Sequence, residues 1–208
     1  MDFSFANGFD GWEPSYSDYT LGVGQEAIIE FAFGHERLPA PLDSTSGVYL
    51  QGHNRSDDLF MYMTRAVIGL EPNTDYRVEL SITIASNVPP GCSGIGGSPG
   101  ESVYIKGGAT GTEPANIVVN DNYVSTNFDH GAQSQEGANT LVLGNFAHGG
   151  GTCTDGLYQR ATLSTGGRSV TVRTSASGEL WLIVGTDSAF EGFTKIYYLE
   201  GSATITRV

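Results

Sequence analysis

The sequence predicts an all-β domain made of two antiparallel sheets packed face to face, and three observations carry that prediction. Gly is the commonest residue, at 29 of 208 positions, and Ser, Thr and Asn are plentiful, while Lys stands only at Lys106 and Lys195. Such a composition favours strands and tight turns over helices. No stretch of about ten residues carries an apolar stripe at i, i+3, i+4 and i+7, so helices are expected only as single turns. The most regular segment alternates instead: Tyr76, Val78, Leu80, Ile82 and Ile84 share one face, and Arg77, Glu79, Ser81 and Thr83 share the other. That is a strand with one side on a core and the other toward water.

The remaining strands follow from the same pattern. Glu26–Phe33, Val48–Gly52, Leu59–Ile68, Val103–Ala109 and Asn116–Val124 read as strands or hairpin arms. Leu141–Phe146, Leu157–Thr165, Ser169–Thr174, Leu180–Thr186 and Thr194–Arg207 continue the series. Leu180-Trp181-Leu182-Ile183-Val184 is apolar on both faces, which predicts a central strand with Trp181 in the core. Glu71-Pro72-Asn73-Thr74-Asp75 and Asn120-Asp121-Asn122 supply the residues that tight turns demand. With no long linker and no internal repeat, residues 1–208 are expected to form a single β-sandwich domain.

Charge and cysteine usage narrow the setting. Ten basic against 23 acidic side chains give a formal charge of −13, which repels nucleic acid and anionic membrane surfaces. No apolar run approaches the roughly 20 residues that a membrane-spanning helix needs. Cys92 and Cys153 both lie in Gly-rich connections rather than on strands, where buried free thiols more naturally sit. A Cys92–Cys153 disulfide is therefore expected, and with it an oxidising compartment: periplasm, cell surface or medium. Met1 followed at once by Asp2-Phe3-Ser4-Phe5 reads as a start placed where a mature exported chain begins, one that a lipid anchor could once have preceded.

The polar motifs point away from catalysis. Gly94-Ile95-Gly96-Gly97-Ser98-Pro99-Gly100 runs into a strand and not into a helix, so the phosphate-cradling argument fails. His35, His53, His130 and His148 have no metal-ligand spacing, and a surface or hydrogen-bonded role is expected for them. The chain has no Gly-x-Ser-x-Gly elbow, no His-Glu-x-x-His and no paired carboxylates of glycosidase type on one strand face. Asp57, Asp58, Asp187 and Glu191 put carboxylates in turns, where either turn formation and solvation or a calcium ion could use them. Asn54-Arg55-Ser56 is a glycosylation sequon.

Phe3-Ser4-Phe5, Gly8-Phe9-Asp10-Gly11-Trp12 and the turn Gly69-Leu70-Glu71-Pro72-Asn73-Thr74-Asp75-Tyr76 resemble the opening and a central strand of galactose-binding-like jelly rolls. This is the fold of many carbohydrate-binding modules, and Thr194–Arg207 is similar to its long closing strand. That closing strand usually carries an acidic residue after its aromatic pair, whereas Leu199 follows Tyr197-Tyr198 here and Glu200 comes one later. The stretches Cys92–Gly100 and Thr186–Gly192 resemble uncharacterised exported bacterial proteins, which implies a bacterial envelope. The resemblance implies jelly-roll topology and a non-enzymatic, extracytoplasmic module for neutral carbohydrate, with Tyr16, Tyr62, Tyr123, Asn54 and Asp187 as candidate contacts. The alternative is a structural or adhesive envelope domain, a lipoprotein engaging another protein. A third reading, a jelly-roll polysaccharide lyase, rests only on Val103-Tyr104-Ile105-Lys106-Gly107-Gly108.

Overall fold

The computed structural model describes residues 1–22, 24–55 and 57–208. In chain order its strands are β1 (Asp2–Ser4), β2 (Glu13–Ser17), β3 (Tyr19–Thr20), β4 (Ala32–Arg37), β5 (Ser46–His53), β6 (Leu59–Val67), β7 (Asp75–Ser86) and β8 (Val103–Thr110). There follow β9 (Asn116–Val119), β10 (Tyr123–Thr126), β11 (Thr140–Asn145), β12 (Gln159–Ser164), β13 (Val170–Arg173), β14 (Leu180–Ser188) and β15 (Phe193–Arg207). One helical turn, α1 (Gln25–Ile29), separates β3 from β4.

The first sheet runs β12-β7-β15-β5-β4, with β1 on β15 and β13 on β7; the second runs β11-β8-β14-β6-β2. Following the chain through β5, β6, β7 and β8 switches sheet at every step, β11 stays beside β8, and β12, β14 and β15 switch again. This winding leaves β12-β7-β15-β5 facing β11-β8-β14-β6, the two four-stranded halves of a jelly roll. The fold is thus the all-β, two-sheet antiparallel sandwich expected.

Alternation places the core where the sequence put it. Val78, Leu80, Ile82 and Ile84 of β7 meet Met61 and Met63 of β6, Leu182 and Val184 of β14, and Ile105 of β8 in one buried cluster. The opening motif closes one end of it: the Trp12 ring lies 4.9 Å from Phe3 and 6.1 Å from Phe5, and Phe5 N–H donates to Leu199 O at 2.8 Å. The departure at Leu199 is a bulge. The register of β15 on β7 shifts between Tyr198 and Glu200, which leaves Tyr198 inside the core and turns Leu199 outward onto Leu38 and Tyr197. On that outer face Lys195 lies 4.0 Å from the Tyr49 ring centre and pairs with Glu36 at 2.7 Å. Burial works to raise the Glu36 carboxyl, but hydrogen bonds from Lys195 and Tyr197 outweigh it and hold the group below the usual carboxylate range.

Two expectations need correction. The segment Glu26–Phe33 is not one strand: α1 ends at Glu30 in the left-handed region (φ 56°), and β4 begins only at Ala32. Trp181 does lie on a central strand, between β6 and β8, but on the side of the sheet away from the core, and it is only half-buried. The Asn120-Asp121 turn is as expected, with both residues at positive φ (47° and 69°) between β9 and β10.

Cys92 and Cys153 form the expected disulfide, with Cα atoms 5.6 Å apart, tying two Gly-rich connections across 61 residues of chain. Replacing both with Ser should lower stability by about 4 kcal/mol through the freed loop entropy. Urea denaturation of the variant checks this, and an unchanged midpoint would show that the connections hold themselves.

Candidate functional site

The outer face of the second sheet is a lattice whose rows follow from strand register. Ser17, Phe60, Asp187 and Tyr104 form one row across β2, β6, β14 and β8; Ser15, Tyr62, Gly185 and Lys106 form the next. Glu13, Thr64, Ile183 and Gly108 make the third, and Ala66, Trp181 and Thr110 the last. Residues opposite one another in antiparallel strands point the same way, so all of these face away from the core.

The first three rows are largely roofed. The chain from Gly111 to Asn139, carrying the β9-β10 hairpin, folds back over them, and β3 joins β10 to make a small third sheet. Phe128 of this cover packs on Phe60, Tyr62 and Ile183 in a second apolar cluster. The cover approaches so closely that a Cβ on Gly108 would stand 1.9 Å from Asn139 O, which only glycine permits. Tyr62 Oη donates to Asn116 Oδ1 at 2.8 Å, and Asn116 Nδ2 donates to Tyr16 O at 2.8 Å, tying hairpin to sheet. Asp129 folds the loop on itself by accepting from Ala138 N and Gly131 N; these backbone bonds, the Ala138 one foremost, hold its carboxyl below the usual range.

Under the cover lies a dense polar cluster. Lys106 and Asp187 are fully buried, with Nζ 2.7 Å from Asp187 Oδ2. The ammonium also donates to His130 O at 2.6 Å and Gln135 O at 3.0 Å, so its three protons meet three oxygens. Asp187 Oδ2 accepts from Gln133 N at 2.9 Å. Asp58 stands beside Asp187, and burial first, then the Asp187 charge, push its carboxyl up to about 9, so at neutral pH it carries its proton. Next to these, His130 Nε2 lies 2.6 Å from Asp18 Oδ2 and Nδ1 lies 2.9 Å from Thr126 Oγ1, while the ring stacks on Phe60 with centroids 4.3 Å apart. Burial first, and after it the neighbouring carboxylates with Asp18 foremost, raises the Tyr123 hydroxyl.

The last row is open. A groove of about 350 Å³ is lined by Trp181, Ala66, Thr64, Gly11, Glu13, Glu113, Pro114 and Glu179. It continues past Glu13, Thr64 and Pro114 into a second hollow of about 240 Å³ that reaches Ser15, Tyr62 and Asn116. The small side chains of Ala66 and Thr110 flank Trp181 and leave the indole as part of the groove lining, with three carboxylates around it.

The residues singled out from sequence scatter across this architecture. Tyr62 is buried under the cover and only borders the second hollow. Tyr16 stacks with Tyr19 at 5.1 Å, and its ring lies 4.5 Å from Phe31. Tyr123 belongs to the cover, and Asn54 is buried with Nδ2 donating to Ser188 O at 2.7 Å, which engages one hydrogen of the sequon's amide; Ser56 lies outside the described residues. The acidic turn residues that a calcium ion could use lie in three places. Asp187 and Asp58 do come together, but the cation that Asp187 meets is the Lys106 ammonium. Asp57 is exposed and contributes its carbonyl oxygen to Gln133, and Glu191 lies against the Gly96 turn. Among the described residues no three His, Cys, Asp or Glu side chains converge as a metal site. The stretch that prompted the lyase reading is β8, with Lys106 sealed beneath the cover. Sequence reading missed Glu13, Glu113 and Glu179 because they lie far apart along the chain and meet only through strand register and the returning cover.

No protein-family model and no curated protein sequence matches the chain. Solved structures similar to it are mainly carbohydrate-binding modules of β-sandwich fold. One, a module that recognises mannan, is 11% identical with a TM-score of 0.38, over 100% of this chain and 96% of its own. The adhesin domain K1 of Lys-gingipain from Porphyromonas gingivalis is 14% identical with a TM-score of 0.42, over 98% and 96%. A tailspike of bacteriophage CBA120 is 9% identical with a TM-score of 0.36; this chain is matched over 97% of its length and spans 20% of the tailspike's.

Replacing Lys106 with Met should cost about 3–5 kcal/mol, because it strands the fully buried Asp187 carboxylate without its cation. Thermal denaturation measures the loss. Hydrogen exchange at Gln133 N–H should rise beyond the global change as the loop it belongs to comes free; protection equal to wild type would show that the loop is held by other contacts.

Proposed function

We propose that this domain is a non-enzymatic carbohydrate-binding module of an exported protein, and that the sugar lies in the open groove against Trp181. The observation that carries the reading is the half-buried indole lining a groove on a sheet face whose other rows are roofed. An indole offers an apolar surface to the C–H face of a pyranose ring. Carboxylates at its rim accept hydrogen bonds from the ring hydroxyls, and Glu13, Glu113 and Glu179 stand there. The disulfide supports an extracytoplasmic setting.

A second reading has an observation of its own. Among the described residues strand β9 pairs only with β10, and Ile117 and Val118 on it are 42% and 58% exposed. An apolar edge strand of this kind suits β-strand addition by a protein partner, as an adhesive domain would use.

A glycan array probed with calcium and again with chelator separates the two readings. Binding that survives the chelator and weakens at least about tenfold in Trp181→Ala, an effect of roughly 1.4 kcal/mol, supports the groove. Because Trp12 is 2% exposed, any ligand-induced change in tryptophan emission should vanish in Trp181→Phe. A silent array in both conditions, with partner capture that is lost in Ile117→Lys/Val118→Lys, would replace the carbohydrate reading with the adhesive one.

A further inference from the structure

We propose that Lys106 and Asp187 condense to an amide that joins β8 covalently to β14, with Asp58 carrying the protons. The two reacting groups already touch: Nζ lies 2.7 Å from Oδ2, and neither side chain has any exposure to solvent. An ion pair accounts for Lys106 and Asp187 but not for Asp58, a second acid brought against the first. Oδ1 of Asp58 and Oδ1 of Asp187 are both buried and meet no donor among the described residues. Buried carboxyl oxygens without partners are costly, and a proton placed between the two acids relieves both. The direction of the Asp58 shift agrees, since burial and the Asp187 charge keep that proton on. The surroundings are Phe60, Tyr62, Phe128 and Ile183, with the His130 ring stacked on Phe60 and paired to Asp18.

The chemistry needs nothing from outside. Across the buried contact the ammonium hydrogen passes to the Asp187 carboxylate, and the pair becomes a free amine beside a neutral acid. The Nζ lone pair then forms a bond to Cγ of Asp187 while Asp58 donates its proton to the carbonyl oxygen. The Asp58 carboxylate next takes a proton from Nζ and delivers it to the departing hydroxyl. The Cγ–O bond breaks, one water leaves, the carbonyl re-forms by returning its proton to Asp58, and the acid ends as it began. Held contact between amine and carboxyl replaces a bimolecular encounter. The product also exchanges two buried charges for a neutral amide, which removes the cost of holding both ions out of bulk solvent. The reverse reaction needs water at a place the cover excludes.

Intact mass spectrometry of the full chain, with the disulfide reduced, reads the outcome directly. The wild-type protein should weigh one water less than its sequence, and a tryptic digest should contain a branched peptide joining the segment of Lys106 to that of Asp187. Lys106→Arg keeps a cation but cannot form this bond and should show the full sequence mass; Asp58→Asn should show it as well. A wild-type chain still at full mass after prolonged incubation at neutral pH would overturn the proposal. So would a water lost equally from Lys106→Arg, which would place the dehydration elsewhere in the chain. Loss of water from Asp58→Asn at the wild-type rate would overturn the role of Asp58. If the variants fail to fold, the branched wild-type peptide decides alone, and none of these results depends on whether a sugar binds.

Discussion

The contact between Lys106 and Asp187 is the constraint around which the second sheet is organised. A fully buried cation is tolerable only when every proton finds an oxygen, and here two of the three oxygens are backbone carbonyls of the loop that roofs the sheet. The sheet therefore supplies the charge and the cover supplies the cage, and each needs the other. Gly185, opposite Lys106, leaves room for the Phe60 and Tyr62 side chains, and Gly108 lets the cover descend to backbone contact. A jelly roll would otherwise leave this outer face wet along its whole length. The cover divides it into a sealed polar interior and one open row, and the open row is the groove.

That division also decides what each aromatic residue does. Phe60 and Tyr62, three rows and two rows from the open one, stack on one another with ring centroids 4.9 Å apart and become a secondary core. Trp181, on the same face and the same sheet, stays half-open because the cover passes it by. Burial on an outer face is thus set by a chain segment that lies more than 40 residues away from Trp181 in sequence, since the cover ends at Asn139. The ring chemistry of the strands themselves does not distinguish the two outcomes.

The sandwich was legible in the sequence wherever only one face of a strand is buried. β7 is the clearest case, because Val78 to Ile84 alternate inward and polar side chains alternate outward. The reading fails where burial has a second cause. Leu180 to Val184 looks like a strand covered on both sides, and it is one, but the second cover is partial, so Ile183 is buried and Trp181 is not. Lys106 alternates outward on β8, which would normally mean solvent; only the returning loop turns that position into an interior one. The Glu26–Phe33 segment has the apolar residues of a strand, yet the left-handed Glu30 interrupts it and no pattern of hydrophobicity marks that break. Of the site, the polar residue types were visible and their grouping was not. Asp58, Lys106 and Asp187 meet from three strands or strand ends, and Glu13, Glu113 and Glu179 from a strand and two connections.

The way Lys106 grips its roof bears on how such a domain can diversify. In the ion pair that precedes any condensation, the ammonium holds the carbonyl oxygens of His130 and Gln135, and Asp187 holds the amide of Gln133. These are main-chain groups: every residue supplies the carbonyl, and every residue except proline supplies the amide N–H. The anchor therefore recognises the path of the loop and is largely indifferent to the letters written along it. Exposed positions such as Ala132 and Ser134 can drift without loosening the attachment. A lineage carrying this arrangement could rewrite the outward surface of its cover while the fastening beneath stays the same.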